Sequence, residues 1–207
     1  MKYEWKKQGK ELYLPKNQPV IVRVPSMKFF MLDGKGNPNS EQFSEAVGVL
    51  YSLSYAVKMM PKKGVTPEGY FEYTVFPLEG VWDLAPEARG LEVLDKDSLI
   101  YTIMIRQPDF VTDEIAQAAL ESTAKKTKNP MLSKVRFESI EDGMCIQMLH
   151  LGSYDNEPGS FAKMEDFCRA NNLKRMSKIH REIYISDARK TPAEKLQTVL
   201  RFKAEEA

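Results

Sequence analysis

The chain contains one order of predicted elements twice, and this repeat constrains the fold more than any other feature. Each copy consists of a strand, a helix and two further strands. Met27–Gly34 corresponds to Ile146–Ser153, and each segment is followed by a polar loop and a helix. Phe71–Phe76 then corresponds to Arg181–Ser186. Because a duplication repeats one structural unit, the sequence predicts two β-α-β-β units.

Hydrophobic periodicity gives the approximate bounds of these elements. A helix is expected from Ser40, a favourable N-cap, to the residues before Pro61. A second helix is expected at about Gly159–Asn171, and an Ala-rich connecting helix at about 112–127. The predicted strands are 19–24, 27–32, 70–76, 98–106, 134–140, 143–151, 178–186 and 195–203.

These elements predict an α+β fold with an antiparallel sheet, helices on one face and a central ligand cleft between the two halves. We expect residues 1–207 to form a single domain. Its first repeat would cover about 19–107 and its second about 134–203, joined by the connecting helix.

Composition argues against several classes of partner. The 30 Lys and Arg residues nearly balance the 29 Asp and Glu residues, which does not favour nucleic-acid binding. The apolar runs are far shorter than the roughly 20 residues that span a bilayer, and no signal peptide is visible, so a cytoplasmic protein is expected. Cys145 and Cys168 are expected to be reduced and buried, and no metal or cofactor is predicted.

The 178–186 strand carries an acidic residue near its middle. Successive side chains of a strand point to opposite faces of the sheet. One face, mostly apolar and expected to pack under a helix, contains Ile179, Arg181, Ile183 and Ile185. The other face contains His180, Glu182 and Tyr184, which places a carboxylate between two groups able to form hydrogen bonds.

The same analysis of the 70–76 strand makes Glu72 the pseudo-symmetry mate of Glu182. If the two repeats pack side by side, both acids approach a shared pocket. Its predicted aromatic lining consists of Tyr70, Phe76, Trp82, Tyr184 and Tyr101. An aromatic pocket with buried negative charge suits aromatic or cationic organic molecules.

The duplicated order of elements, with His-Arg-Glu-Ile-Tyr-Ile-Ser-Asp at His180–Asp187, resembles the GyrI-like family over about Pro19–Phe202. That family includes the effector domains of multidrug-sensing transcription activators. Its motif, similar to Tyr-Glu-Ile-Tyr-hydrophobic, implies that Glu182 lies at the centre of a ligand cleft. This chain shows no segment typical of a DNA-binding module.

Free-standing members of the family include enzymes that hydrolyse cyclopropanoid DNA-alkylating compounds. The resemblance implies that Glu182 deprotonates a water for attack on the cyclopropane while a tyrosine assists at the dienone carbonyl. A carboxylate in a poorly solvated cleft is expected to be a better base. The tyrosine could be Tyr184, Tyr101 or Tyr70, and Trp82, Phe76 and Met148 would form the walls.

Simpler interpretations remain open at this point. Glu182 could be a salt-bridged structural residue, and Glu72 could lie on a solvated surface. His150 and His180 are more typical of structural hydrogen bonding than of catalysis, although His180 shares the face of Glu182. The alternative functions are a non-catalytic multidrug-binding protein and a protein-interaction inhibitor of the gyrase-inhibitor type.

Overall fold

The structure is a computed structural model that describes residues 2–88 and 95–207. Its helices are α1 (Trp5–Gln8), α2 (Lys10–Tyr13), α3 (Glu41–Lys58), α4 (Asp113–Ala124) and α5 (Glu157–Ala170). Its strands are β1 (Val20–Val24), β2 (Met27–Lys35), β3 (Leu78–Leu84), β4 (Leu99–Gln107), β5 (Arg136–Ile140), β6 (Gly143–Leu151), β7 (Leu173–Arg175), β8 (His180–Tyr184) and β9 (Gln197–Glu206). The predicted α+β class with antiparallel strands is confirmed.

The chain divides into two compact units. The first contains 27–78, 83–140 and the N-terminal residues up to Glu4, and the second contains 5–26, 79–82 and 141–207. The single domain and the limits of its repeats therefore stay predictions. Within the described residues, no helix is long and apolar enough to cross a membrane.

In the first unit, β2 lies between β4 and β5, and both pairings are antiparallel. Helix α3 packs on β2 and β4 and also contacts α4. It starts where the sequence predicted, because the Ser40 side chain accepts a hydrogen bond from the Phe43 N–H at 3.2 Å. Thr112 caps α4 in the same way, by accepting from the Ile115 N–H.

The predicted strand at 70–76 is wrong. This segment is irregular apart from one bridge between Tyr3 and Tyr73, and the strand begins only at Leu78. Its rings form an aromatic cluster instead, in which Phe110 packs against Tyr70, Phe71 and Tyr73. Aromatic residues favour strands, but they also favour such clusters. In this segment the packing of the rings outweighs the strand propensity.

In the second unit, antiparallel strands follow the order β1, β6, β9, β8 and the Glu79–Trp82 part of β3. Strand β7 pairs with another part of β9. Helix α5 packs on β6, and Met164 and Cys168 of the helix join Met148 and Leu200 in one hydrophobic cluster. Cys145 and Cys168 are free and buried, as expected.

The strand register shows which face of β8 lies on the helix side. Glu182 is opposite Leu200, which in turn is opposite Met148, so these side chains share the face covered by α5. The prediction that the Arg181 face packs under the helix is therefore wrong.

The Arg181 face carries a buried polar network that periodicity alone does not reveal. Arg181 forms ion pairs with Glu79 at 2.8 Å and Asp142 at 2.9 Å. Arg201 donates to the Gln147 side chain and to the Leu12 carbonyl of α2. Because these charges have buried partners, a charged residue occupies a face where the sequence favoured apolar packing.

Candidate functional site

Glu182 lies in the middle of β8, and its residue is only 9% exposed. Gly80 of β3 and Leu200 of β9 are its partners across the two ladders. A carboxylate flanked by a glycine and a leucine needs polar partners from other residues, because burial without hydrogen bonds is costly. Those partners come from α5 and from β8 itself.

The first partner is Glu157, the first residue of α5, which is buried and hydrogen-bonded to Glu182 through its carboxyl group. Burial and the negative charge of Glu182 raise the pKa of Glu157 to about 10. The Glu157 carboxyl is therefore protonated at neutral pH. Its Oε1 is buried and has no hydrogen-bond partner among the described residues.

His180 is the second partner. Its Nε2 lies 3.2 Å from Oε1 of Glu182, and its Nδ1 lies 3.3 Å from the Lys178 carbonyl. The imidazole also meets the ring of Phe161 edge to face, at 4.8 Å between centroids. These contacts fix the ring plane and keep Nε2 directed at the carboxylate.

Tyr184 is the third partner, and it links Glu182 to Trp82. Its hydroxyl accepts a hydrogen bond from Trp82 Nε1 at 2.9 Å and is hydrogen-bonded to the Glu182 carboxylate. Burial, the charge of Glu182 and the hydrogen bond to Glu182 raise the pKa of Tyr184 well above its usual value. Tyr184 is thus held as a neutral phenol that donates to the carboxylate.

Gly80 makes the contact between Trp82 and Tyr184 possible. A Cβ atom at this position would lie 2.6 Å from Trp82 Nε1 and 3.2 Å from the Tyr184 hydroxyl. Any other residue would therefore push the indole away. The glycine is explained by this close approach of side chains.

Five of the predicted site residues lie in the second unit, all on the face of Glu182. His180, Glu182, Tyr184 and Trp82 form the connected group described above. Met148 is fully buried in the hydrophobic cluster under α5. His150 lies on the same face, and its ring nitrogens contact the Ser160 hydroxyl and the Ser153 carbonyl, each at 2.9 Å.

The other four predicted residues lie in the first unit. Tyr70 and Phe76 belong to its aromatic cluster. Tyr101 is 4% exposed, packs edge to face against Phe43, and has a pKa raised by burial. Glu72 is exposed on the irregular segment, so its assignment as a strand mate of Glu182 is wrong.

Sequence reasoning missed Glu157 and Tyr154. Burial and nearby carboxylates raise the pKa of Tyr154 to about 12, and its ring meets Tyr184 edge to face. A glutamate in the first turn of a helix is common, because it complements the helix dipole. The sequence Asp155-Asn156-Glu157-Pro158 therefore gave no signal that Glu157 turns inward.

A family model for the GyrI-like small molecule binding domain matches residues 17–203. The chain belongs to the GyrI-like family. This range agrees with the resemblance seen in the sequence over about 19–202. No protein in the curated set matches the chain.

Solved structures agree with this assignment. The chain is 35% identical to a hydrolase from Listeria innocua, with a TM-score of 0.89 over 98% of this chain and 100% of that one. It is 36% identical to an uncharacterized conserved protein from the same organism, with a TM-score of 0.90 over 98% and 100% of the two chains. The C-terminal domain of EcmrR, 13% identical with a TM-score of 0.51 over 92% and 98%, shares the fold.

Proposed function

We propose that this GyrI-like protein binds an aromatic small molecule beside Glu182 and hydrolyses cyclopropanoid DNA-alkylating compounds. One observation carries the proposal. Glu182, at mid-strand and 9% exposed, contacts both the hydroxyl of Tyr184 and the carboxyl of Glu157. A base beside a neutral phenol is the pair that hydrolysis of an electrophilic dienone requires.

Glu182 is the base of the proposed reaction. Because burial and the charge of Glu182 raise the pKa of Glu157, the two carboxyl groups together hold one proton and one negative charge at neutral pH. The carboxylate removes a proton from a water as the water oxygen bonds to a cyclopropane carbon.

Tyr184 is the candidate hydrogen-bond donor at the dienone oxygen, in place of its hydrogen bond to Glu182. As the C–O bond forms, a cyclopropane C–C bond breaks, and its electron pair moves through the ring to the dienone oxygen. That oxygen takes up the proton that Glu182 removed from the water and becomes a phenol, which regenerates the carboxylate. A neutral tyrosine hydroxyl can donate to that oxygen, and Trp82 orients it through the 2.9 Å hydrogen bond. Tyr101 stays an alternative donor predicted from the sequence.

The surroundings support an aromatic ligand. Trp82, Tyr184, Tyr154 and Phe161 all lie beside the carboxyl groups or their partners. The description of a 35% identical relative as a hydrolase supports the reaction class. On this proposal the protein detoxifies an alkylating agent and so confers resistance to it.

A second candidate is the binding of aromatic cations without chemistry. The observation that favours it is the pair of carboxyl groups, Glu157 and Glu182, next to aromatic rings. Loss of the Glu157 proton would give the site a second negative charge for an organic cation.

The test is turnover of a cyclopropanoid alkylating agent by the purified protein, with products separated by chromatography and identified by mass. We expect a ring-opened water adduct from the wild type and at least a hundredfold slower formation by Glu182→Gln. Glu194→Gln, an exposed glutamate replaced in the same way, is the matched control and should retain full activity. Thermal melting of each variant shows that the fold is kept.

The outcomes separate the candidates. Adduct formation that survives in Glu182→Gln contradicts the assigned base. Tight binding without turnover by the wild type leaves the cation-binding function and removes the hydrolase. If the wild type neither turns over nor binds the compound, the hydrolase is overturned.

A further inference from the structure

The same face of β8 carries a set of side chains that hydrolysis does not require. Glu157, His180 and Glu182 each offer one ligand atom, and these three atoms lie within 4.8 Å of one another. We propose that Glu157, His180 and Glu182 bind one divalent transition-metal cation. The proposal goes beyond hydrolysis and does not depend on it, since no substrate enters the argument.

The first support is the chemistry of the three groups. Two carboxylate oxygens and one imidazole nitrogen form a mixed oxygen and nitrogen set that suits Zn²⁺, Mn²⁺ or Fe²⁺. The cation displaces the proton of Glu157, because a carboxyl group binds a metal in its deprotonated form. Three protein ligands leave coordination positions for water. Mg²⁺ is less well suited, because it prefers oxygen ligands alone and an ideal octahedron.

The second support is the buried oxygen of Glu157. Its residue is 7% exposed, and Oε1 has no hydrogen-bond partner among the residues that the structure describes. A buried carboxylate oxygen without a partner is costly, and a cation bound between Glu157 and Glu182 would satisfy it. This feature points to a ligand independently of how near the three side chains are.

The third support is the orientation of His180. Its Nδ1 faces the Lys178 carbonyl at 3.3 Å, so when a cation is bound an Nδ1–H can donate there while the Nε2 lone pair binds the metal beside Glu182. A backbone carbonyl on the outer nitrogen is the usual way in which proteins orient a metal-binding imidazole. The edge of Phe161 against the ring restricts its rotation further.

The ligands also lie where a cation can enter. The side chains of His180 and Glu182 are 21% and 12% exposed, whereas Glu157 closes the inner side of the site. They come from two elements, the start of α5 and the middle of β8. Glu157 lies 23 positions before His180, and His180 lies two positions before Glu182. This spacing matches no common metal-binding motif, so the sequence alone does not reveal the site.

The test is calorimetric titration of the chelator-treated full-length protein with Zn²⁺, Mn²⁺ and Mg²⁺ in turn. We expect one Zn²⁺ per chain, with weaker binding of Mn²⁺ and the weakest of Mg²⁺. Glu157→Gln, His180→Gln and Glu182→Gln should each weaken Zn²⁺ binding at least tenfold. Glu165→Gln changes another carboxylate of α5, one that pairs with Arg175 and Lys178, and should not change the affinity.

A second measurement needs no variant. In the wild type, long-range proton–nitrogen NMR spectra report the ring nitrogens of the only two histidines, His150 and His180. Zn²⁺ should shift Nε2 of His180 and leave His150 unchanged. The proposal is overturned if Zn²⁺ does not bind, if the three variants bind it as tightly as the wild type, or if the His180 resonances do not move. These measurements use no substrate, so their outcome does not depend on whether the protein catalyses hydrolysis.

Discussion

Trp82 donates its indole N–H to the hydroxyl of Tyr184 at 2.9 Å, across the pairing of β3 with β8. The contact fixes the tyrosine that touches Glu182. The contact can form because residue 80 of β3 is a glycine and has no side chain. This glycine therefore helps to set the orientation of Tyr184, the candidate donor to the substrate.

Gly80→Ala should break this hydrogen bond. The new Cβ would lie 2.6 Å from Trp82 Nε1, so the indole has to move. We expect the indole N–H resonance of Trp82 to shift while that of Trp5 stays in place. Gly48→Ala is the control, because a Cβ there meets nothing within 4 Å, and alanine in α3 should stabilise the helix by up to about 1 kcal/mol. An unchanged Trp82 resonance in Gly80→Ala would contradict the close approach.

Arg181→Met should strongly destabilise the protein. It leaves Glu79, whose side chain is fully buried, without its ion-pair partner. Loss of one member of a buried pair typically costs about 3–5 kcal/mol, measured here as the free energy of unfolding in urea. Arg189→Met, which removes an exposed pair with Asp187, should cost less than about 1 kcal/mol. The double variant with Glu79→Met should recover part of the loss, and strict additivity of the two single changes would argue against the pairing.

Glu157→Gln should change the pH dependence of stability. In the folded protein the Glu157 pKa is about 10, against a usual value of 4.5, so the folded state binds the extra proton between these values. The stabilisation by this proton is complete below pH 4.5 and is lost progressively as the pH rises towards 10. Glutamine cannot ionise, so the variant lacks this loss.

The measurement is thermal or urea unfolding from pH 5 to pH 8. We expect the wild type to lose up to about 4 kcal/mol more than Glu157→Gln over this range, because one bound proton corresponds to about 1.4 kcal/mol per pH unit. Glu194→Gln, at an exposed position, should follow the wild type. Parallel profiles for wild type and Glu157→Gln would show that Glu157 is not protonated in the folded protein.

Ser40→Ala should destabilise α3 by about 1 kcal/mol, because the Phe43 N–H loses its acceptor. Ser52→Ala is the matched control within the same helix, since Ser52 is exposed and donates to the Gly48 carbonyl. That change should be neutral or slightly stabilising. Equal melting temperatures for the two variants would contradict the role of Ser40 as N-cap.

Local patterns predicted most of the elements correctly. Strand β6 has the predicted bounds of 143–151, and α4 lies within the predicted connecting helix. Such elements follow from periodicity and capping, which depend on neighbours in the sequence. The 70–76 segment failed because its aromatic rings pack against Phe110, more than thirty residues away.

The candidate site also has one part that the sequence predicts and one part that depends on long-range pairing. The alternation of side chains along β8 places His180, Glu182 and Tyr184 on one face, and this needs only the sequence. Which face α5 covers was decided by the register of β8 with β9 and β6, a long-range pairing. The wrong assignment followed from the apolar residues around Arg181, whose charge is neutralised by Glu79 and Asp142 from distant segments.

The sequence by itself determined the α+β class, the GyrI-like resemblance and the mid-strand position of Glu182. Only the tertiary structure decided what surrounds that carboxylate. Glu157 is buried against it, Trp82 orients Tyr184, and Gly80 leaves room for both aromatic side chains. The physical reason is that secondary structure depends on local periodicity, whereas burial, pKa shifts and ligand geometry depend on groups that are brought together by packing.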